Sequence, residues 1–314
     1  MSRVYEALQQ SSSSHVDPGT PERGRVDIVF AEQFCDSGWD PNTASQVQPR
    51  LSDREKLPSL FSRHSLASEQ FRLLATRLQQ LQQSRTFKSV LLTSAVAGEG
   101  KSLLIFNLAL SLSHGGQQRV LVVDADLRKP GLSLIFQVDG RAGLKEWHQT
   151  NRPISGFICR IADTNVWVLP AGQAIVDPLE LLKSPRIQNV LTSLYATFDW
   201  VLIDSPPLLP LADAEIISRI CDGTMIVVRH DRSPKSALKQ ALERVAPSKM
   251  LGFLLNDFPL IDSYGYPQCL VDERPTSPGS ITQVRRLWKW TLDAQQRALR
   301  FCSLQFGRVA RRGA

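Results

Sequence analysis

The feature that most constrains the fold is the segment Ser94–Ser102, SAVAGEGKS, which lies between a short apolar run and a helical pattern. It matches the phosphate-binding pattern G-x4-G-K-[S/T], except that Ala95 stands at the first glycine. Alanine allows a negative φ at this first position, so backbone N–H groups can still wrap a phosphate at the start of a helix. The alternative is a plain glycine-rich corner between a strand and a helix.

Short apolar runs alternate with helical patterns along the middle of the chain. The runs are continuous, which indicates strands buried on both faces and hence a mostly parallel sheet with helices on each side. The sequence therefore predicts an α/β fold of the P-loop NTPase class over residues 61–260. The expected strands are Ser89–Thr93, Val120–Val123, Val166–Leu169, Trp200–Ile203, Thr224–Val228 and Leu251–Leu255, and the expected helices are Ser65–Leu81, Lys101–Ser113, Pro178–Tyr195, Ala212–Ile220 and Pro234–Val245.

The flanking segments lack this pattern. We expect a short helix over residues 1–10, a largely disordered linker over 11–60 with a short ordered piece at Val26–Phe30, and a turn-rich segment over 261–280. No run of about 18 apolar residues occurs, so no membrane span is expected. The start of the chain lacks the apolar core of a secretory signal, and five widely separated cysteines indicate free thiols. These features favour a cytoplasmic protein.

The net charge of +7 lies in the last segment of the chain, residues 281–314. That segment holds eight basic side chains and one acid, so the remainder is neutral. Its apolar residues recur at three- to seven-residue intervals, which predicts a basic amphipathic tail suited to an anionic membrane surface. A helix packed on the domain is the alternative, and because the body is neutral we expect no nucleic-acid partner.

Acidic residues follow two of the expected strands. Asp124 and Asp126 come directly after Val120–Val123, and Asp204 comes directly after Trp200–Ile203. Because the carboxyl ends of parallel strands meet at one edge of a sheet, these acids are expected beside the phosphate loop. There they can hold Mg²⁺ or accept a proton. A single acid after a strand is more often a helix cap, but two such ends beside a phosphate loop make that role the weaker interpretation.

With these motifs, residues 65–266 resemble the bacterial tyrosine kinases, which are autokinases of capsule and exopolysaccharide production. The opening MSRVYEAL also resembles the stand-alone members of exosortase-associated polysaccharide loci. The relevant segments are AVAGEGKS (95–102), VLVVDADLRKP (120–130), VDPLELLKSPR (176–186), FDWVLIDSPPLLPLADA (198–214) and LGFLLND (251–257).

The resemblance implies ATP and Mg²⁺ as cofactors and a role for each matching residue. Lys101, Asp124, Asp126 and Asp204 would be catalytic, with Asp124 as candidate base. Ser102, Asp124 and Asp204 would hold Mg²⁺. For Asn256 an adenine contact and a turn-forming role are both open. The expected ATP-binding residues are Ala97, Gly98, Glu99, Gly100, Lys101, Ser102, Leu103 and Asn256.

Two motifs depart from the family pattern. The oligomerisation motif E-x-x-R-x-x-R keeps Glu69 and Arg72, which would support a homo-oligomer, but Ala75 replaces its last arginine. The alternative is a plain amphipathic helix with solvated charges. The terminal tyrosine cluster is reduced to Tyr264 and Tyr266, the expected phosphoacceptors; exposed turn tyrosines without a role are the alternative.

These features predict an ATP-dependent protein tyrosine autokinase that regulates exopolysaccharide synthesis and chain length. By the resemblance, its activator is a separate membrane chain-length protein, the polysaccharide co-polymerase, which would bring the kinase to the inner face of the cell membrane. Two other functions stay open: an ATPase switch without kinase activity, and a nucleotide-binding regulatory subunit of the export machinery that does not turn ATP over.

Overall fold

The computed structural model describes residues 39–48 and 65–257, apart from residues 115, 117, 137, 139 and 231. Eight strands in this part of the chain form one sheet in the order β1-β4-β5-β3-β6-β2-β7-β8. All neighbouring pairs are parallel except β4 and β5, which are antiparallel. The strands are β1 (Ser45–Val47), β2 (Ser89–Ser94), β3 (Val120–Asp124), β4 (Cys159–Ile161), β5 (Val166–Leu169), β6 (Trp200–Asp204), β7 (Gly223–Arg229) and β8 (Met250–Asn256).

Helices connect the strands and cover both faces of the sheet. Neighbouring residues of β2 face opposite sides of the sheet. Val90 and Leu92 join one core cluster with Leu78 and Ile105, whereas Leu91 joins the core cluster on the other face. This arrangement confirms the predicted α/β fold. The helices are α1 (Leu66–Ser84), α2 (Lys101–Leu112), α3 (Gly131–Ile135), α4 (Leu144–His148), α5 (Leu179–Lys183), α6 (Pro185–Thr197), α7 (Asp213–Ile220) and α8 (Lys235–Glu243).

The single helix predicted over Pro178–Tyr195 is wrong, because the structure has two helices, α5 and α6, separated at Ser184. Pro185 disfavours the helical conformation of the residue before it, and Ser184 is extended with ψ 132°. The Ser184 hydroxyl accepts a hydrogen bond from Arg186 N and so caps the second helix.

The sheet also has two short strands that the sequence did not predict, β1 and β4. β1 lies inside the segment expected to be linker and pairs with β4 at the edge of the sheet. The indole N–H of Trp167 donates to the Pro41 carbonyl at 2.8 Å, and Trp39 packs against Phe198, which together hold this piece in place. The piece expected at Val26–Phe30, the helix over 1–10 and the tail over 281–314 lie outside the described residues.

Strands β2, β3 and β6 are adjacent in the sheet and parallel, so their carboxyl ends lie at one edge. The phosphate-loop segment leaves β2 at this edge, and Asp124 is the register partner of Asp204. This edge therefore brings the phosphate loop together with the two strand-end acids.

Candidate nucleotide site

The segment between β2 and α2 forms a tight loop around two glycines with positive φ. Gly98 has φ 81°, and Gly100, with φ 91°, is the N-cap of α2. A Cβ on Gly100 would lie 2.3 Å from Asn256 Nδ2, so space and backbone conformation both require glycine there. Ala95 does not adopt a positive φ, as expected for the position where the pattern has its first glycine.

Lys101, at the start of α2, is turned back onto the strand that precedes the loop. Its Nζ donates to Ser94 Oγ at 3.1 Å, and the Ser94 hydroxyl donates to the Val96 carbonyl at 2.6 Å. The lysine side chain is buried in this arrangement. Ser94 was not predicted as a site residue, because a serine at a strand end carries no pattern of its own.

Ser102 and Asp204 join the start of α2 to the end of β6. The Ser102 hydroxyl donates to Asp204 Oδ2 at 2.5 Å. Asp204 is almost completely buried, and its Oδ1 has no hydrogen-bond partner among the described residues. The serine and the carboxylate therefore form a pair of oxygen ligands with one acceptor left open.

Asp124, at the end of β3, has the same kind of asymmetry. Its Oδ2 accepts two hydrogen bonds of 3.0 Å, from the backbone N–H and the hydroxyl of Ser133 in α3. Its Oδ1 is buried without a partner among the described residues. Ser133 is a site residue that the sequence analysis missed, because it lies nine positions after the acid and in a separate helix.

The environment of this pair favours the protonated form of both carboxyls. Burial, followed by the nearby charge of Asp204, raises the pKa of Asp124 to about 8. Burial also raises the pKa of Asp204 to about 6, although the Ser102 hydroxyl and Lys101 oppose that rise. Two buried acids this close are unfavourable when both are ionised, so a cation between them would relieve the repulsion.

The residues present fit a hard divalent cation. Two buried carboxylate oxygens lack partners, and a serine hydroxyl is bonded to one of these acids. Mg²⁺ is commonly held by one or two carboxylates together with substrate phosphates. Within residues 39–48 and 65–257 no cluster of three or more His, Cys, Asp or Glu side chains could hold a metal, so a cation here would need other ligands such as phosphate.

Asp126 supports the loop that follows β3. Its Oδ1 accepts the Lys129 N–H at 3.0 Å, and burial raises its pKa. Arg128, within the same turn, is fixed by an ion pair in which its Nε donates to Asp213 Oδ2 at 2.6 Å. The sequence analysis did not identify this ion pair, whose members are 85 residues apart.

Asn256 lies at the end of β8 and contacts the phosphate loop directly. Its Nδ2 donates to the Glu99 carbonyl at 2.8 Å. The next residue, Asp257, has φ 58°, so the chain also turns here. Among the remaining predicted loop residues, Ala97 is exposed, whereas Leu103 is half-buried and packs against the core.

The predicted oligomerisation residues pair with each other within α1. Arg72 Nε donates to Glu69 Oε2 at 2.9 Å, and both side chains are partly exposed. Ala75 faces the core, so an arginine at this position would bring a charge into apolar surroundings. The predicted acceptors Tyr264 and Tyr266 lie outside the described residues.

The chain is similar to known proteins over the region that carries the phosphate loop. The family model described as "Cellulose biosynthesis protein BcsQ" matches residues 87–263, more than half of the chain. Tyrosine-protein kinase YwqD of Bacillus subtilis (strain 168) is 34% identical over 206 residues, which are 64% of this chain and 86% of the relative. Putative tyrosine-protein kinase CapB of Staphylococcus aureus is 30% identical over 204 residues, which are 64% of this chain and 89% of the relative.

A solved structure extends the similarity to the fold. The crystal structure of the chimerical protein CapA2B2 superposes with a TM-score of 0.62 at 26% identity, and the match covers 69% of this chain and 94% of that one. The residues that the family model matches, 87–263, contain the phosphate loop and both strand-end acids. The chain therefore belongs to the bacterial tyrosine kinases, and its residues 87–263 also match the BcsQ family model.

Proposed function

We propose that this chain is an ATP-dependent protein tyrosine autokinase that regulates exopolysaccharide synthesis. The observation that carries the proposal is the pair of unpartnered, buried carboxylate oxygens of Asp124 and Asp204 beside a glycine-bent phosphate loop. A buried acceptor without a donor is costly, and a ligand that supplies positive charge explains why such a pair is retained.

The phosphate loop would hold the nucleotide through its backbone. The N-terminus of α2 presents free N–H groups and the positive end of the helix dipole to the β-phosphate. Lys101 would exchange its hydrogen bond to Ser94 for hydrogen bonds to the β- and γ-phosphate oxygens, since Ser94 and the proposed phosphate site lie at the same end of α2. Phosphoryl transfer needs this alignment and charge neutralisation more than it needs covalent chemistry.

Ser102, Asp124 and Asp204 would hold Mg²⁺, which when bound neutralises charge on the phosphates. Asp204 would act through its charge, and Ser102 orients that carboxylate through the 2.5 Å hydrogen bond. Ser133 fixes Oδ2 of Asp124 and leaves Oδ1 without a partner among the described residues. Asp126 would stabilise the loop that carries Asp124.

Tyr264 and Tyr266 are the proposed acceptors. Tyr264 lies eight positions after Asn256, and such a segment spans at most about 27 Å when extended. It starts at the sheet edge that carries the phosphate loop, so its own site or that of a neighbouring subunit is within reach. A tyrosine hydroxyl has a pKa of about 10, so the Asp124 carboxylate would accept its proton as the tyrosine oxygen bonds to the γ-phosphorus. The bond from that phosphorus to the bridging oxygen would break, and ADP would leave.

The proposed partner is a membrane chain-length protein that activates the kinase, and the basic tail over 281–314 would hold the kinase at the anionic inner face of the membrane. Glu69 and Arg72 would contribute to a homo-oligomer by exchanging their pairing within α1 for pairing between subunits. Among the described residues, none of the helices combines the length and the apolar character that crossing a membrane requires.

An anti-phosphotyrosine blot of the purified chain with Mg·ATP tests the proposal, with and without the cytoplasmic part of the activator. Signal from the wild type that is lost in Tyr264→Phe/Tyr266→Phe supports it, since phenylalanine removes only the hydroxyls. ATP binding should be intact in that variant. Phosphate found mainly on Tyr5 or Tyr195 would contradict the acceptor assignment.

An ATPase switch without kinase activity is the second candidate, favoured by the sparse tyrosines. Tyr195 is the only tyrosine among the described residues, and its hydroxyl donates to Ser89 Oγ at 2.7 Å. Burial raises the pKa of this hydroxyl to about 12, which makes it a poor acceptor. Release of inorganic phosphate without any phosphotyrosine, with the activator present, would establish this second function.

A further inference from the structure

Glu99 is a buried acid in the phosphate loop whose carboxylate does not face the carboxylate pair. Its side chain is 2% exposed. Oε1 accepts a hydrogen bond from the Ser233 hydroxyl, and Oε2 has no partner among the described residues. A carboxylate in such surroundings costs more free energy than an apolar or amide side chain of similar size, so stability alone does not account for it.

Ser233 belongs to the short segment that connects β7 to α8. Its hydroxyl also accepts the Arg229 backbone N–H at 2.9 Å, which closes a turn at the end of β7. The Ser233 hydroxyl therefore bonds at once to this turn and to the phosphate loop. The Glu99–Ser233 hydrogen bond joins two segments that are 134 residues apart.

Two further contacts join the same segments. Arg229 Nη1 donates to the Gly98 carbonyl at 3.2 Å, and its Nε and Nη2 donate to Asp257 Oδ2 at 2.9 and 2.8 Å. Asn256, the register partner of Arg229, donates to the Glu99 carbonyl. The ends of β7 and β8 are thus bonded to the backbone of the Gly98–Gly100 turn from one side.

We propose that Glu99 is a positioning residue that, through Ser233, holds the Gly98–Gly100 turn in its phosphate-binding shape against the ends of β7 and β8. This inference rests on the proposed function only in that the loop binds a nucleotide. Because Asp257 precedes the segment with Tyr264 and Tyr266, the same contacts fix the start of the acceptor segment relative to the phosphate loop.

The role predicts which kinetic constant changes. The described hydrogen bond of the Glu99 side chain is to Ser233, and not to Lys101 or the strand-end acids, so its loss should leave those residues in place. A loop that must be ordered on binding lowers affinity, since the ordering cost is taken from the binding free energy. Loss of the Glu99–Ser233 bond should therefore raise Kd and KM for nucleotide more than it lowers the maximal rate of transfer.

The test compares Glu99→Ala, Glu99→Gln, Ser233→Ala and the Glu99→Ala/Ser233→Ala double variant in the full chain. The probe is a fluorescent ADP analogue with Mg²⁺, and phosphotransfer is measured at saturating ATP. Glu99→Ala should weaken ADP binding about tenfold, as expected for loss of a hydrogen bond to a charged group. Ser233→Ala should weaken it to a similar or smaller extent, and the double variant should be no worse than Glu99→Ala.

Glu99→Gln should weaken ADP binding clearly less than Glu99→Ala, because the amide oxygen can still accept from Ser233. The matched controls are Glu243→Ala and Ser248→Ala, which make the same changes at exposed positions and should have no effect. If Glu99→Ala does not fold, Ser233→Ala and Glu99→Gln still give different predicted outcomes.

Any of three results would overturn the proposal. The first is a loss of ADP affinity in the double variant equal to the product of the two single losses, and the second is a loss in Glu99→Gln equal to that in Glu99→Ala. The third is a lower maximal rate with unchanged ADP affinity. The binding measurement does not depend on tyrosine phosphorylation. A chain that binds ADP with the expected mutational pattern but never modifies tyrosine would contradict the proposed function alone.

Discussion

Acidic residues at the two edges of the sheet differ in whether hydrogen-bond donors of the protein satisfy their carboxylate oxygens. At the amino-terminal edge, Asp222 lies just before β7, and its Oδ2 accepts three hydrogen bonds of 2.9 Å, from Lys88 N, Ser89 N and Ser89 Oγ. At the carboxyl-terminal edge, Asp124 and Asp204 each keep one buried oxygen without a partner among the described residues. Of these three acids, only Asp124 and Asp204 keep a buried acceptor oxygen open to a ligand.

This difference separates residues that stabilise the fold from residues that serve the chemistry. Asp222 joins the starts of β2 and β7 and has donors that belong to the protein itself. Asp124 and Asp204 are more deeply buried, and this burial raises the pKa of both carboxyls. Substitutions at the two edges should therefore have opposite consequences for stability and activity.

The largest effect is expected for Lys101→Met at the carboxyl-terminal edge. Removal of the ammonium that would contact the phosphates should lower autophosphorylation about 1000-fold or more. The fold should survive, since the Lys101 ammonium makes its described hydrogen bond only to Ser94. Radiolabelled ATP incorporation gives the activity and thermal unfolding gives the control. Full activity in the variant would refute the phosphate-loop assignment.

Asp124→Asn should lower activity about 100-fold but stabilise the nucleotide-free protein. Folding raises the pKa of Asp124 from 3.8 to about 8, so between these values the folded state binds a proton that the unfolded state has released. Stability therefore falls as pH rises through this window, and the asparagine removes that loss. Without Mg²⁺ or nucleotide, the variant should therefore be more stable than the wild type at pH 8, by more than about 1 kcal/mol.

The difference in unfolding free energy between Asp124→Asn and wild type should be small near pH 4 and grow towards pH 8. Chemical denaturation across this range measures it. A difference that is constant with pH, or a variant less stable than wild type at pH 8, would contradict the account of the carboxylate pair.

At the amino-terminal edge, Asp222→Ala should show the reverse pattern. Three donors lose their acceptor, so the protein should lose about 2–3 kcal/mol of stability. Residual activity per folded molecule should be near that of the wild type. Glu180→Ala, an exposed acid on α5, is the control and should change neither quantity. A large loss of activity in folded Asp222→Ala would remove the distinction between the two edges.

The smallest effect is expected for Tyr195→Phe, next to Asp222. The phenol donates one hydrogen bond to Ser89 Oγ, and its loss should cost about 1 kcal/mol. The phosphotyrosine signal should be unchanged, because this buried hydroxyl is not an acceptor. Quantitative mass spectrometry of the modified chain checks this, and a strongly reduced signal would place Tyr195 among the acceptors.

Much of the carboxyl-terminal edge was predictable from sequence. The continuous apolar runs predicted six strands to within about two residues at each end, because buried parallel strands need apolar residues on both faces. The acids that end β3 and β6 then had to meet beside the phosphate loop. Lys101, Ser102, Asp124 and Asp204 were brought together as expected.

Features that depend on distant contacts were not predictable. β1 has three residues, SQV, and is held by β4, while Trp167 and Phe198 fix the residues just before it. Ser133 and Ser94 act through hydrogen bonds that no periodic pattern records. The break at Ser184 could have been predicted from Pro185 alone, and the apolar pattern that continued across it was given too much weight.

The most direct test of the central claim is the Mg²⁺ dependence of ATP affinity in wild type and in Asp204→Asn. The asparagine can still accept the Ser102 hydrogen bond but lacks the charge that attracts the cation. Saturating Mg²⁺ should raise wild-type affinity about tenfold or more, and should raise that of the variant far less. Superimposable Mg²⁺ titration curves would show that the strand-end acids, each with one unpartnered oxygen, do not hold the metal.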